Sequence, residues 1–176
     1  MTKYITIPRS SKRDMAKILI IYDSLTGYTE QLAHVISKGA RSIANTHIEL
    51  LQIGTAFSLR KLEAVDGVLF GSPVIYGKWS LDMQNLLNSI SGHVTSRQLN
   101  IADKIASAFG SFAFSGGWVI RDLGTQLTTL GFLKGPPSLA IMDGLGQPTP
   151  ITLSPQNHQL CYTFGKSMAE QIASRS

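Results

Sequence analysis

The chain has 176 residues, 43% of them hydrophobic and 15% charged, the make-up of one globular domain with a sizeable core. A single cysteine, Cys161, excludes an internal disulfide framework, and no apolar run approaches the roughly 18 residues of a membrane span. The net charge of +5 is concentrated near the start: Lys3, Arg9, Lys12, Arg13 and Lys17 are set against Asp14 alone, while the rest carries 11 basic and 10 acidic residues. Residues 1–14 therefore read as a basic, flexible extension ahead of one domain over 15–176. The near-neutral remainder has no basic patch interleaved with aromatics, so no nucleic-acid face is expected, nor a membrane one. Without a secretory h-region the default location is cytoplasmic.

In chain order, Ile18–Tyr22 is a short, continuously apolar run that stops at Asp23, the mark of a strand buried on both faces of a parallel sheet. The turn Ser24-Leu25-Thr26-Gly27-Tyr28-Thr29 comes next, with Gly27 permitting a positive φ and Thr29 or a neighbour capping the next helix. Apolar residues at Leu32, Ala33, Val35, Ile36 and Ala40 then predict a helix over Glu30–Ala40. Ile48–Ile53 reads as a second strand, Phe57–Ala64 as at most a short helix, and Gly67–Gly71 as a third buried strand. Leu81–Ile90 is helical, with Leu81, Met83, Leu86, Leu87 and Ile90 on one face. Ile105–Phe109 is strand four, Val119–Leu130 a helix and Ser138–Met142 strand five, followed by a Gly/Pro-rich connection over Asp143–Pro150. Ser154-Pro155 pairs a cap with proline at the first helical position, opening a helix to about Ala173 lined by Leu160, Phe164, Met168 and Ile172. Five strands alternating with helices predict an α/β fold, a three-layer sandwich around a parallel sheet.

Ligands in such sheets sit beyond the carboxyl ends of the strands, so three loops carry the functional reading. The first, Ser24–Thr29, gathers hydroxyls and amides at a helix start and suits a phosphate. It lacks the G-K-[ST] of a nucleoside triphosphate loop and the G-x-G-x-x-G of a dinucleotide site, which leaves a compact phosphomonoester. The second is Ser72–Trp79 (SPVIYGKW), where Pro73 and Gly77 fix a turn and Ile75, Tyr76 and Trp79 offer flat or apolar surface. The third is Ser111–Trp118 (SFAFSGGW), with rings at Phe112 and Phe114 and amides at Ser115-Gly116-Gly117. A flavin mononucleotide asks for this set: a helix start for phosphate, apolar walls for the ring system, and backbone donors for the pyrimidine edge.

In order and placement the three loops resemble the flavodoxin-like superfamily. Within it, DGVLFGSPVIYGKWSLDMQNLL and FGSFAFSGGW are similar to the second and third FMN loops of the tryptophan-repressor-binding-protein-like NAD(P)H:quinone oxidoreductases. The resemblance implies a flavodoxin-like sheet of strand order 2-1-3-4-5 and FMN as cofactor. Phosphate would be held by Ser24, Thr26, Gly27, Tyr28 and Thr29. Pro73, Val74, Ile75, Tyr76 and Gly77 would flank the isoalloxazine, and Ser111, Phe112, Ala113, Phe114, Ser115, Gly116 and Gly117 would contact its pyrimidine and ribityl side. It further implies NAD(P)H as hydride donor, a quinone or similar small molecule as acceptor, no metal, no catalytic side chain, and a homodimer or tetramer. The chain departs from that pattern at Leu127-Thr128-Thr129-Leu130-Gly131-Phe132, where the family carries a histidine pair, and in two shorter segments, before strand three and before the last helix.

A flavodoxin-type electron carrier, or a flavin-binding protein reduced by a partner enzyme, is the alternative. The absence of Asp and Glu from the second and third loops weighs toward the reductase. Each aromatic also has a plain packing reading, strongest for Trp79 and Trp118. His34, His47, His93 and His158 show no ligand spacing. Ser115 lies outside a G-x-S-x-G elbow, and Asp23 is expected to point away from the phosphate as a turn or cap residue.

Overall fold

Every side chain from Ile18 to Tyr22 is apolar and buried, so strand β1 (Ala16–Tyr22) needs cover on both faces and takes an interior place in its sheet. The computed structural model describes residues 15–142 and 152–175. The basic extension over 1–14 and the connection over 143–150 lie outside them. β1 pairs in parallel with β2 (Thr46–Gln52) on one side and β3 (Gly67–Ile75) on the other. A two-residue strand, β4 (Lys78–Trp79), folds back antiparallel on the end of β3. β3 pairs in parallel along its length with β5 (Ile105–Phe112). The far edge of β5 is shared by β6 (Leu133–Lys134) at its start and β7 (Leu139–Met142) at its end. The expected order 2-1-3-4-5 is therefore present, with its fifth strand in two pieces.

Side chains alternate across the sheet and so divide the core into two clusters. Ile18, Ile20 and Tyr22 pack beneath helices α1 (Tyr28–Arg41) and α4 (Pro155–Ala173). Leu19 and Ile21 pack against residues of α2 (Leu81–Thr95) and α3 (Gly117–Leu130) on the opposite face. The segment 57–64 forms only a 3₁₀ turn at Leu59–Leu62, closed by the Ser58 hydroxyl accepting from the Arg60 amide.

Two expected core residues are exposed. Leu160 is 44% exposed, because α4 buries Cys161, Phe164, Gly165, Met168, Ala169 and Ile172 instead. At 3.6 residues per turn a strict four-residue spacing drifts off the face, by about 120° between Leu160 and Ile172. Leu81 stands at the first position of α2, ahead of its buried stripe, and is 68% exposed.

α1 and α4 touch through glycine. A Cβ on Gly39 would overlap the backbone carbonyl of Tyr162, and one on Gly165 would overlap that of Ile36. The two backbones approach more closely than any side chain permits. Replacing Gly165 with Ala should therefore destabilise the fold by about 1–3 kcal/mol or more, read as a lower midpoint in urea.

Cys161 is fully buried in the same interface, and burial pushes its thiol up to about 12. The native chain should resist a thiol reagent that the urea-unfolded chain consumes. Because the folded value lies above the unfolded one near 9.0, this stabilising contribution is complete below pH 9 and drains away as pH rises toward 12. Urea midpoints measured across that window should fall more steeply for the native sequence than for Cys161→Ala.

Candidate cofactor-binding site

The carboxyl ends of β1, β3 and β5 lie side by side in register, with Tyr22 opposite Gly71, Gly71 opposite Phe109, and Pro73 opposite Ser111. Buried hydroxyls hold the segments that leave these strand ends. After β1, the Asp23 amide donates to the Gly71 carbonyl at 2.9 Å and extends the pairing by one residue. Asp23 is buried, and no capping bond runs from its carboxylate; the expectation of a turn or cap role gives way to a place at the end of the strand. Ser24, three residues ahead of the N-cap position, accepts with its Oγ from the Glu30 amide at 3.2 Å. Gly27, at φ 88°, is the N-cap residue of α1 and offers no side chain. Leu25 and Thr26 face solvent.

Thr29 has the composition of a cap but does not serve as one. It is buried, and its Oγ1 lies 3.2 Å from Oγ of Ser111, which joins the first loop to the third across β3. Tyr28 is buried among α1 and α4, where its Oη accepts from Nδ2 of Asn157 at 3.4 Å, so only its backbone can face a ligand.

The second loop differs from its sequence reading. Ser72, Pro73, Val74 and Ile75 continue β3, and the turn proper is Tyr76-Gly77. Proline and glycine in this stretch suggest a break, yet β5 runs alongside far enough to keep β3 extended, pairing Ser72 with Gly110 and Pro73 with Ser111. A Cβ on Gly110 would overlap the Ser72 carbonyl, so this pairing requires glycine there. The hairpin is closed at its base: the Ser80 amide donates to the Ser72 Oγ at 2.9 Å, while Ser80 Oγ accepts from the Met83 amide and caps α2. At the tip both φ values are positive, 49° for Tyr76 and 74° for Gly77, the pattern of a type I′ turn. A tyrosine in the left-handed region costs about 1 kcal/mol or more, and this one presents its whole ring to solvent, 101% exposed.

In the third loop Ser111 and Phe112 belong to β5. Ala113 is half-buried, Phe114 and Ser115 are exposed, and buried Gly116 opens α3 at φ 154° with no side-chain cap. A Cβ on Gly116 would come within 2.9 Å of Val74 Cγ1, so the second and third loops are in contact. α1 and α3 thus both begin at glycine on this edge, whereas α2 and α4 begin at serines whose hydroxyls cap them.

The edge is apolar at its surface. Leu25, Tyr76, Phe114, Trp118 and Met142 are all more than half exposed, and Met142 pairs with Phe112 in the sheet. Of the two aromatics with the stronger packing reading, Trp118 is 57% exposed and Trp79 packs partly against the core. Leu25 and Met142 were missed as rim residues. Their signal is an apolar side chain placed directly at a strand-end turn. Nearest the first loop, Tyr22 donates to Glu30 Oε1 at 3.4 Å; burial first, then the negative charge of Glu30 and this bond, raise the phenol above its ordinary value. Among the described residues no three His, Cys, Asp or Glu side chains gather to hold a metal, and no helix is long and apolar enough to cross a membrane.

Residues 20–147 match the Flavodoxin family. A flavodoxin of Aquifex aeolicus is 30% identical over 174 residues, covering 90% of this chain and 88% of the relative. Among solved structures, the Flv1 flavodiiron core of Synechocystis superposes with a TM-score of 0.74 at 22% identity, covering 93% of this chain and 38% of the larger one. A flavodoxin from the domain Archaea does so at 0.74 and 24%, covering 89% and 99%. A WrbA-like flavodoxin from Agrobacterium tumefaciens gives 0.69 at 19% identity, covering 92% and 99%. These three share the fold, and the matched family and the Aquifex relative go further: the chain belongs to the flavodoxin family, whose members bind FMN.

Proposed function

We propose that this protein is an FMN-dependent electron carrier, reduced and oxidised by partner proteins. The observation that carries this reading is the build of the carboxyl edge: two glycine-opened helix starts beside an apolar rim that is exposed among the described residues, in a chain 30% identical to a flavodoxin. The residues fit the cofactor. Ser24, Thr26, Gly27, Thr29 and the backbone of Tyr28 would hold the phosphate, where helix amides and the dipole favour an anion. Tyr76 and Phe114 would wall the isoalloxazine, with Pro73, Val74, Ile75 and Gly77 behind the first ring and Phe112, Ala113 and Ser111 behind the second. Ser115, Gly116 and Gly117 would offer amides to the pyrimidine edge.

FMN, when bound, supplies the one- and two-electron chemistry. The chain's own work is to bind the phosphate, orient the ring and shield one edge from water. An open rim suits exchange with another protein surface, since a partner's redox centre needs close approach rather than a substrate pocket.

A second reading, an NAD(P)H oxidoreductase acting on a quinone-like acceptor, draws on one observation. The second and third loops contain Lys78 and no acidic residue, so nothing there repels a nucleotide phosphate.

Thr26 is exposed, so Thr26→Glu should leave the fold intact by circular dichroism and weaken FMN affinity by at least about tenfold, a charge-assisted contact turned to repulsion. Unchanged affinity would remove the phosphate from the Ser24–Thr29 loop. The functional test is an anaerobic visible spectrum of the FMN-loaded protein. A carrier keeps its flavin bands after NADPH or NADH and loses them on adding a catalytic amount of an NADPH-oxidising flavoprotein reductase. Prompt bleaching by NADPH or NADH alone would replace the carrier with the enzyme, and failure to take up FMN would overturn both.

A further inference from the structure

The split outer strand leaves a gap in the pairing along β5. β6 pairs with Ile105 and Ala106, and β7 pairs from Phe109 onward; between them Gly135-Pro136-Pro137-Ser138 arches away from β5. Two prolines have no N–H to continue the pairing, so the arch is anchored at its start. The Gly135 amide donates to the Ala106 carbonyl at 2.8 Å, and the buried Ser107 hydroxyl donates to the Pro136 carbonyl at 2.6 Å. Arch and α3 line a half-open cavity of about 410 Å³.

Its lining is one-sided in charge. Arg121 and Lys134 both reach it, and no Asp or Glu does. Neither cation has an ion-pair partner among the described residues. The Ser138 hydroxyl also lines the cavity and lies so close to α3 that a Cβ on Gly124 would overlap it, so glycine is what admits the arch here. The hydroxyls of Thr125 and Thr128 donate within the helix, to the carbonyls of Arg121 and Thr125, and so bring no competing donor demand. The cavity thus offers a guanidinium fork, an ammonium and a hydroxyl donor, with no carboxylate lining it among the described residues.

We propose that this arch cavity is a second anion site, taking a phosphate dianion that is either free or carried on a small metabolite. It is separate from the cofactor edge: the β5 residues lining it are Ala106 and Ser107, whereas that edge begins at Ser111. Binding would clamp the arch to α3, and the same two elements lead to Met142 and Gly117 on the cofactor edge.

The test is a ¹H–¹⁵N titration of the FMN-loaded protein with inorganic phosphate, and in a parallel arm with glycerol 3-phosphate, at ionic strength held constant with sodium chloride. The expected result is saturable shifts of the Ser107, Gly124, Gly135 and Ser138 amides. Saturation by both ligands makes inorganic phosphate sufficient, and saturation by the ester alone makes the ligand a metabolite. The dissociation constant should rise at least about tenfold in Arg121→Gln/Lys134→Gln, whose native side chains are both exposed, and in part in Lys134→Gln alone. Shifts that stay linear with both ligands, or that are unchanged in the double variant, would overturn the proposal. Shifts of the 24–29 amides report on the cofactor loop separately, so a failure of FMN binding is not confused with a failure here.

Discussion

The carboxyl edge depends on one buried contact, the pair of hydroxyls between Thr29 on α1 and Ser111 on β5. Its net worth when made is modest, about 1 kcal/mol. Its cost when broken is larger, because both oxygens are sealed from water and each would lose its partner, about 1–3 kcal/mol apiece. Sliding α1 against the sheet therefore carries a penalty that the apolar contacts alone, being non-directional, would not impose. The contact spans β3, and it fixes the first loop relative to the third while the strand between them is held by its own pairing. The Ser72–Ser80 bond adds the same kind of lock to the hairpin. Small hydroxyl residues in a buried layer are thus what turns three strand ends into one rigid edge.

The strands and helices were legible in the sequence because their signals are local. Continuous apolar runs at Ile18–Tyr22 and Gly67–Gly71 mark interior strands, and Ser154-Pro155 marks the start of α4. What escaped was non-local. Pro73 and Gly77 look like a broken loop, and it is pairing with β5 at Ser72 and Pro73 and with β4 at Val74 and Ile75 that keeps this stretch extended. Thr29 looks like a cap, and only the arrival of Ser111 from 82 residues away gives its hydroxyl another use. Gly39 and Gly165 carry no periodic signal, yet they set the distance between α1 and α4. The three loops read from the sequence do meet at one edge; which of their side chains point outward was not legible, and Trp118 and Leu25 are the cases in point.

The composition of the rim bears on its partners. Leu25, Tyr76, Phe114, Trp118 and Met142 would be an aggregation risk if they faced only water. A flat cofactor between two of the rings would cover part of this surface and leave the outer members exposed. Those outer members, more than half exposed among the described residues, would suit a transient protein contact better than an enclosed substrate. With no acidic residue in the second or third loop, association with a partner would rest on apolar contact more than on charge. Its rate would then vary little with ionic strength, in contrast to steered encounters between oppositely charged faces.

Tyr76 shows why such a surface persists. Its positive φ is an avoidable strain: glycine at that position would relieve it, and the following residue is already glycine. Among the described residues the tyrosine joins neither core cluster and is fully exposed, so the pairing of β3 with β4 rather than core packing holds the turn. A flat ligand packed on the exposed ring would offset this strain. On the proposed function, the ring system of a bound flavin would rest against this hairpin, where the positive φ of Tyr76 holds its ring out to solvent.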